Sequence, residues 1–254
     1  RLVTCPLTPE GRLDPGAIEA GLADPGVRAL LLCSPHNPTG VAHTADELQA
    51  VAAIAAAHDV EVVVDEIHAV LVPEGTTFVP WLSTSPRGVV VTSASKAYNM
   101  AAIKAAIVLV GAESAEVLER LPEILRWGAS HIGVVAHRAA WDGGDAWAAA
   151  VNANISANAA YLAELLAERL PAVGYRGQEA TYLAWLDCRA LGLGDLVAPD
   201  GAAMVAVAAG LMADAGRRRA LRRELPARLR ASPLCDAAGF ASAMEAAYRA
   251  EWRR

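Results

Sequence analysis

Cysteine is scarce in this 254-residue chain. Cys5, Cys33, Cys188 and Cys235 lie far apart, in no C-x-x-C or metal-ligand spacing, so neither a disulfide framework nor a cysteine metal site is expected. They read as buried thiols of a reducing compartment, and the expected location is the cytoplasm. Long apolar runs are missing too: no stretch of about eighteen apolar residues would span a bilayer, and no secretory signal pattern is visible. Positive charge is in deficit, with a formal net charge of -6, which gives no general reason to expect a nucleic-acid partner. The basic segment of Arg217, Arg218, Arg219, Arg222, Arg223, Arg228 and Arg230 has no interleaved aromatic platform and reads as a solvated helix face. His131 and His137 are spaced wrongly for two ligands on one helix face, and no metal is assigned.

What is present is apolar. With 54% hydrophobic and 20% charged residues, the chain can bury a sizeable core as one large domain, or as one domain with a small appendage. Up to about residue 110 the pattern alternates strand and helix. Leu2 to Cys5 reads as a strand already under way at Arg1, so the chain is expected to be a fragment. Ala17 to Leu22 is a helix and Ala29 to Cys33 a buried strand that stops at Ser34-Pro35. Thr44 with Glu47 makes a capping box, and Leu48, Val51, Ala52 and Ala55 share one face of a helix running to about Ala57. Glu61 to Val64 and Val89 to Thr92 are β-branched runs without polar alternation, as in parallel strands covered by helices on both faces. Ile103 to Val110 reads as one more strand. Helical sequence follows from Glu113, with Asp145 as N-cap of a long helix from Ala146 to Leu170, and Thr181 to Leu186 is a last strand. The implied fold class is α/β, a mostly parallel sheet flanked by helices.

Three short motifs stand at the ends of those strands. Asn37-Pro38-Thr39-Gly40 follows the first, Asp65-Glu66-Ile67-His68 the second, and Ser93-Ala94-Ser95-Lys96 the third. Each has a plain reading when taken alone. The first is a good β-turn; Asp65 could cap a helix or pair with an arginine; His68 could be a packed or solvated histidine; Lys96 could be a surface lysine. A parallel sheet would instead carry all three to one rim, where α/β folds build their sites. Ser93 to Lys96 also fits the S-x-x-K pattern of penicillin-recognising serine enzymes, but the companion S-D-N and K-T-G motifs are absent.

In this order and spacing, the motifs resemble the class I/II aminotransferase superfamily, the fold-type I pyridoxal-phosphate enzymes, over roughly residues 1 to 192. The nearest likeness is to carbon-sulfur lyases of the cystathionine β-lyase type. It is carried by residues 31 to 40, by Asp65-Glu66-Ile67-His68, by Ser93-Ala94-Ser95-Lys96 and by residues 181 to 187. The resemblance implies pyridoxal 5'-phosphate as cofactor, with Lys96 as its Schiff-base lysine and as the base at the substrate Cα. It makes Asn37 and His68 partners of the cofactor phenolate oxygen, Asp65 the partner of the ring nitrogen, and Ser93 and Lys104 the holders of the phosphate. A surface role is the other reading of Lys104. His68 favours a lyase acting on cystathionine-like amino acids, because many aminotransferases place tyrosine there; aminotransferase is the alternative. The family has a preceding segment with a phosphate loop and a ring-stacking aromatic, and a small C-terminal domain with a carboxylate-gripping arginine. Neither is found here, which opens a second alternative: an inactive truncated or fusion product acting as a binding module. A homodimer is expected by analogy, with an amino-acid substrate and no nucleic-acid or membrane partner. Residues 193–254 form a separate helical segment that resembles the C-terminal tail of O-linked N-acetylglucosamine transferase-like proteins, through residues 232 to 236 and 247 to 250.

Overall fold

Strands whose residues are apolar on both faces need cover, and in the computed structural model the helices that provide it are set by local caps. The structure describes residues 2–169, 173–187 and 201–231. The chain divides into two compact units. One holds residues 1–164 and 175–186, the other residues 165–174 and 187–254.

The first unit contains a four-stranded sheet of β1 (Ala29–Cys33), β2 (Glu61–Asp65), β3 (Val89–Thr92) and β4 (Ile107–Val110), in that spatial order. β1, β2 and β3 are parallel, with Cys33 paired to Asp65 and Asp65 to Val91. β4 is antiparallel to β3, pairing Ile107 with Thr92. The expected mostly parallel sheet is therefore present, with the C-terminal ends of β1, β2 and β3 on one rim.

α1 (Pro15–Leu22) begins where Asp14 accepts the N–H groups of Gly16 and Ala17 at 2.9 and 3.1 Å, with proline in the first turn. α2 (Ala45–Ala57) carries the expected capping box. Thr44 Oγ1 accepts from Glu47 N at 3.3 Å, and Glu47 Oε2 accepts from Thr44 N at 2.7 Å. Ile18, Leu22, Leu48, Val51 and Ala55 from these helices pack with Leu32, Val62, Val64, Val90 and Trp81 into the core on one sheet face. Trp81 opens the short α3 (Trp81–Thr84), where Glu66 accepts its backbone N–H at 2.7 Å.

The opposite face is covered less fully than the sequence suggested. Leu31, on the edge strand β1, is 78% exposed. Val63, Val89, Val91 and Val108 line a cleft of about 1070 Å³, and Leu118, Leu121 and Leu125 also line it. These leucines come from α4 (Glu116–Arg120), the link after it and α5 (Glu123–Trp127). Then follow α6 (His131–Gly143) and the long α7 (Asp145–Arg169). Two expectations shrink. The segment from Ile103 becomes a strand only at Ile107, and residues 2 to 5 are not a strand. Near the other end, the strand expected over residues 181 to 186 is limited to β6 (Leu186–Asp187), paired with β5 (Gly174–Tyr175).

In the second unit, α8 (Gly201–Ala213) and α9 (Ala215–Ala231) meet at Asp214, whose carboxylate accepts from Arg217 N at 2.8 Å. α9 holds the whole arginine segment, and Arg217, Arg219, Arg222 and Arg223 are exposed on it. The proposed boundary at residue 192 and the phrases at 232–236 and 247–250 lie outside the described residues.

Candidate active site

Three chain reversals at one rim of the sheet place the candidate residues. After β1, Ser34 N donates to Asp65 O at 3.0 Å, and the Asn37 N–H reaches the Cys33 sulfur at 3.4 Å. The loop closes at Gly40, whose φ of +71° is left-handed. Its carbonyl accepts from both Glu179 N and Ala180 N at 2.8 Å. A Cβ there would stand 2.4 Å from Gln178 Cβ, so only glycine admits this approach. Glu179 braces the same loop by accepting from Ala42 N at 3.1 Å and pairing with Arg12 at 2.6 Å. Asn37 is exposed on it. Burial pushes the Cys33 thiol up; the Asn37 N–H opposes this and the Asp65 charge adds to it.

β2 ends on Asp65, whose Oδ1 accepts from Ile67 N at 3.0 Å. The turn that follows buries His68 to 2% exposure, with the Tyr182 ring edge-on at 5.5 Å between centroids. His68 Nδ1 is buried and has no hydrogen-bond partner among the described residues. Burial pushes this imidazole below its ordinary range, the Asp65 charge pulls against that, and the Lys96 charge adds to it. Asp65 and Lys96 therefore converge electrostatically on one buried histidine. Asn152 of α7 anchors the same turn by donating to Val70 O at 2.9 Å.

β3 runs into a turn over residues 94–99 that carries Lys96. Tyr98 N donates to Ala94 O at 3.1 Å and Met100 N to Ser95 O at 2.9 Å. Trp147 on α7 fixes the turn by donating to Ala97 O at 3.1 Å. Lys96 is exposed and makes no hydrogen bond or ion pair among the described residues. It and Lys104 are the only lysines of the chain. Ser93 is nearly buried. Its hydroxyl lies 2.8 Å from Ala105 O, 2.9 Å from His137 Nε2 and 3.2 Å from Ser95 N. Lys104 lines the 1070 Å³ cleft, as does Ser95, the neighbour of Lys96. Among the described residues no group of three His, Cys, Asp or Glu side chains is placed to hold a metal.

Four residues of this neighbourhood escape sequence reasoning: Tyr182, Asn152, Trp147 and His137. Tyr182 belongs to a phrase that carried the resemblance, yet its contact with His68 spans 114 residues of chain, from 68 to 182, and leaves no local signal.

A parallel sheet with a lysine turn, a buried histidine and an acidic strand end at one rim is the architecture of a known family. The chain belongs to the class I and II aminotransferases, whose family model matches residues 1–246. Among curated relatives, it is 43% identical over 220 residues to a Mycobacterium tuberculosis protein provisionally named cystathionine beta-lyase, covering 83% of this chain and 54% of that one. Among solved structures, it superposes on the PLP-bound C-S lyase of Staphylococcus hominis with a TM-score of 0.62 and 27% identity, over 70% of this chain and 46% of that one. It also superposes on the N-succinyldiaminopimelate aminotransferase of Mycobacterium tuberculosis with a TM-score of 0.65 and 33% identity, over 76% and 51%. The chain spans about half the length of the curated relatives it matches. No helix among the described residues is long and apolar enough to cross a membrane.

Proposed function

We propose that this chain carries the pyridoxal-phosphate site of a carbon-sulfur β-lyase acting on cystathionine-like amino acids. The observation that carries the proposal is the convergence of Asp65 and Lys96 on His68, a buried histidine with an unpartnered Nδ1, at the strand ends. An orphaned buried nitrogen costs free energy, and a ligand oxygen would relieve that cost. An unpaired primary amine on an anchored turn is suited to holding an aldehyde carbon and then moving the proton at a substrate Cα. Asp65, with Oδ1 tied to the backbone, would hold a proton at the ring nitrogen. Asn37 and His68 would face the phenolate oxygen, and Ser93 and Lys104 would hold the phosphate. When bound, the cofactor supplies an electron sink for the pair left at Cα. With a thiolate leaving from Cβ and water hydrolysing the released aminoacrylate, the products are a thiol, pyruvate and ammonia.

An aminotransferase is the second reading, supported by the 33% identity to the aminotransferase structure. His68, where many aminotransferases have tyrosine, favours the lyase. The same family reading supports a homodimer and a cytoplasmic setting. The tail resemblance over residues 193–254 gains no support from the family match, which itself runs through residue 246.

The test is spectroscopic. Incubation with pyridoxal phosphate is expected to give absorbance near the visible edge that Lys96→Ala abolishes. Borohydride reduction should then leave the cofactor attached at Lys96 and not at Lys104. An unchanged spectrum in Lys96→Ala removes the assignment. Pyruvate release from L-cystathionine separates the lyase from the aminotransferase and from a chain that only binds.

A further inference from the structure

Ser93 has one hydroxyl hydrogen and two lone pairs to share among three neighbours. Ala105 O, at 2.8 Å, can only accept, and Ser95 N, at 3.2 Å, can only donate. The third neighbour is His137 Nε2, at 2.9 Å, from a histidine that α6 buries to 3% exposure. The other ring nitrogen of His137 lies 2.8 Å from Gly133 O. A carbonyl only accepts, so Nδ1 carries a hydrogen, and the state of Nε2 decides where the serine hydrogen goes.

If Nε2 is bare, it takes the Ser93 hydrogen, and Ala105 O loses its donor. If Nε2 is protonated, it donates into a lone pair of Oγ, and the serine hydrogen is left for an acceptor. Ala105 O is that acceptor in the structure, and an anion could take its place. A bare Nε2 facing an Oγ whose hydrogen had gone elsewhere would set two lone pairs against each other at hydrogen-bond distance. Only the protonated ring therefore lets Ser93 donate outward.

We infer that His137 is the positioning residue of Ser93: it holds Oγ with a donated hydrogen and frees the hydroxyl hydrogen for the phosphate of a pyridoxal-type ligand at the end of β3. This rests on the proposed cofactor site and extends it to a residue forty-four positions away in sequence. Phosphate binding through Ser93 then depends on the hydrogen that His137 Nε2 donates to Oγ. Arg138, next to His137 on α6, is paired with Asp142 at 3.2 Å. The ring is braced edge-on by Trp141, 5.9 Å away between centroids.

The experiment titrates the whole chain with pyridoxal phosphate and with pyridoxal, which lacks the phosphate, following the Lys96-dependent absorbance. His137→Leu should weaken binding of pyridoxal phosphate roughly tenfold, the scale of one lost charge-assisted hydrogen bond, and that of pyridoxal by less than about twofold. His137→Gln keeps a donor at this position. It should restore most of the affinity. In a Ser93→Ala background, His137→Leu should add nothing. Equal weakening for both ligands, undiminished binding of pyridoxal phosphate by the leucine variant, or a glutamine variant no better than leucine each overturns the inference. If the absorbance never forms, or survives Lys96→Ala, the cofactor reading falls and the inference with it. A Lys96-dependent signal indifferent to His137 removes the inference alone.

Discussion

Replacing His43 by phenylalanine should flatten the acid side of this protein's stability curve. His43 is 2% exposed, between the Asn37 loop and α2, and neither ring nitrogen has a hydrogen-bond partner of normal geometry among the described residues. Burial lowers its pKa from 6.5 to about 4. Glu47 and the Cys33 backbone pull against this; His36 and Arg12 push with it. The sign follows from which state takes the proton. Above pH 6.5 both folded and unfolded chains leave His43 neutral, and nothing is lost. Below it the unfolded chain binds a proton that the folded chain refuses, so stability falls by up to about 1.4 kcal/mol per pH unit. The loss is complete near the folded value, and sums to about 3 kcal/mol. At pH 7.5 His43→Phe should be close to wild type. The relief of an unsatisfied buried group, about 1–3 kcal/mol, is offset by the larger ring in a packed site, also about 1–3 kcal/mol. Urea unfolding at pH 7.5, 6 and 5, followed by tryptophan fluorescence with Trp81 as a buried reporter, measures the gap between the two proteins. The gap should widen in favour of the variant as pH falls. Parallel curves would refute the reasoning.

Two other substitutions probe the frame of the site. Gly40→Ala forces a side chain onto a left-handed backbone and against Gln178 and Ala180; it should cost about 2 kcal/mol or more. Because Asn37 rides on that loop, affinity for pyridoxal phosphate should fall with thermal stability, and a variant as stable as wild type would contradict the packing. Thr44→Ala removes the hydroxyl that caps α2; thermal unfolding should report a loss of about 1 kcal/mol, with little change in cofactor spectrum because α2 contributes no residue to the rim.

How far the fold could be read tracked how local its causes were. α2 was legible because a capping box and an apolar stripe lie within fifteen residues of one another. β2 and β3 were legible because β-branched runs admit few other conformations. The strand expected from Ile103 came out short because Lys104 O and Ala105 O are engaged by Ser130 N and Ser93 Oγ, which leaves the ladder to begin at Ile107. The strand expected at Thr181 gave way because that residue sits at φ +66° and sends its N–H to Leu71 O, across the molecule.

The sequence by itself determined the class: three motifs, each at the end of a strand-forming run, need only a parallel sheet to meet at one rim, and parallel pairing puts equivalent strand ends together. It also supplied the lone amine at Lys96 and the acid at Asp65. Only the tertiary structure decided how those groups are tuned. That His68 is buried beside Tyr182, that Lys104 lines a cleft with Ser95, and that His137 meets the Ser93 hydroxyl all depend on contacts between distant segments. Such contacts join α6, α7 and Tyr182 to the turns after β2 and β3, and packing over long separations leaves no periodicity in the chain to read.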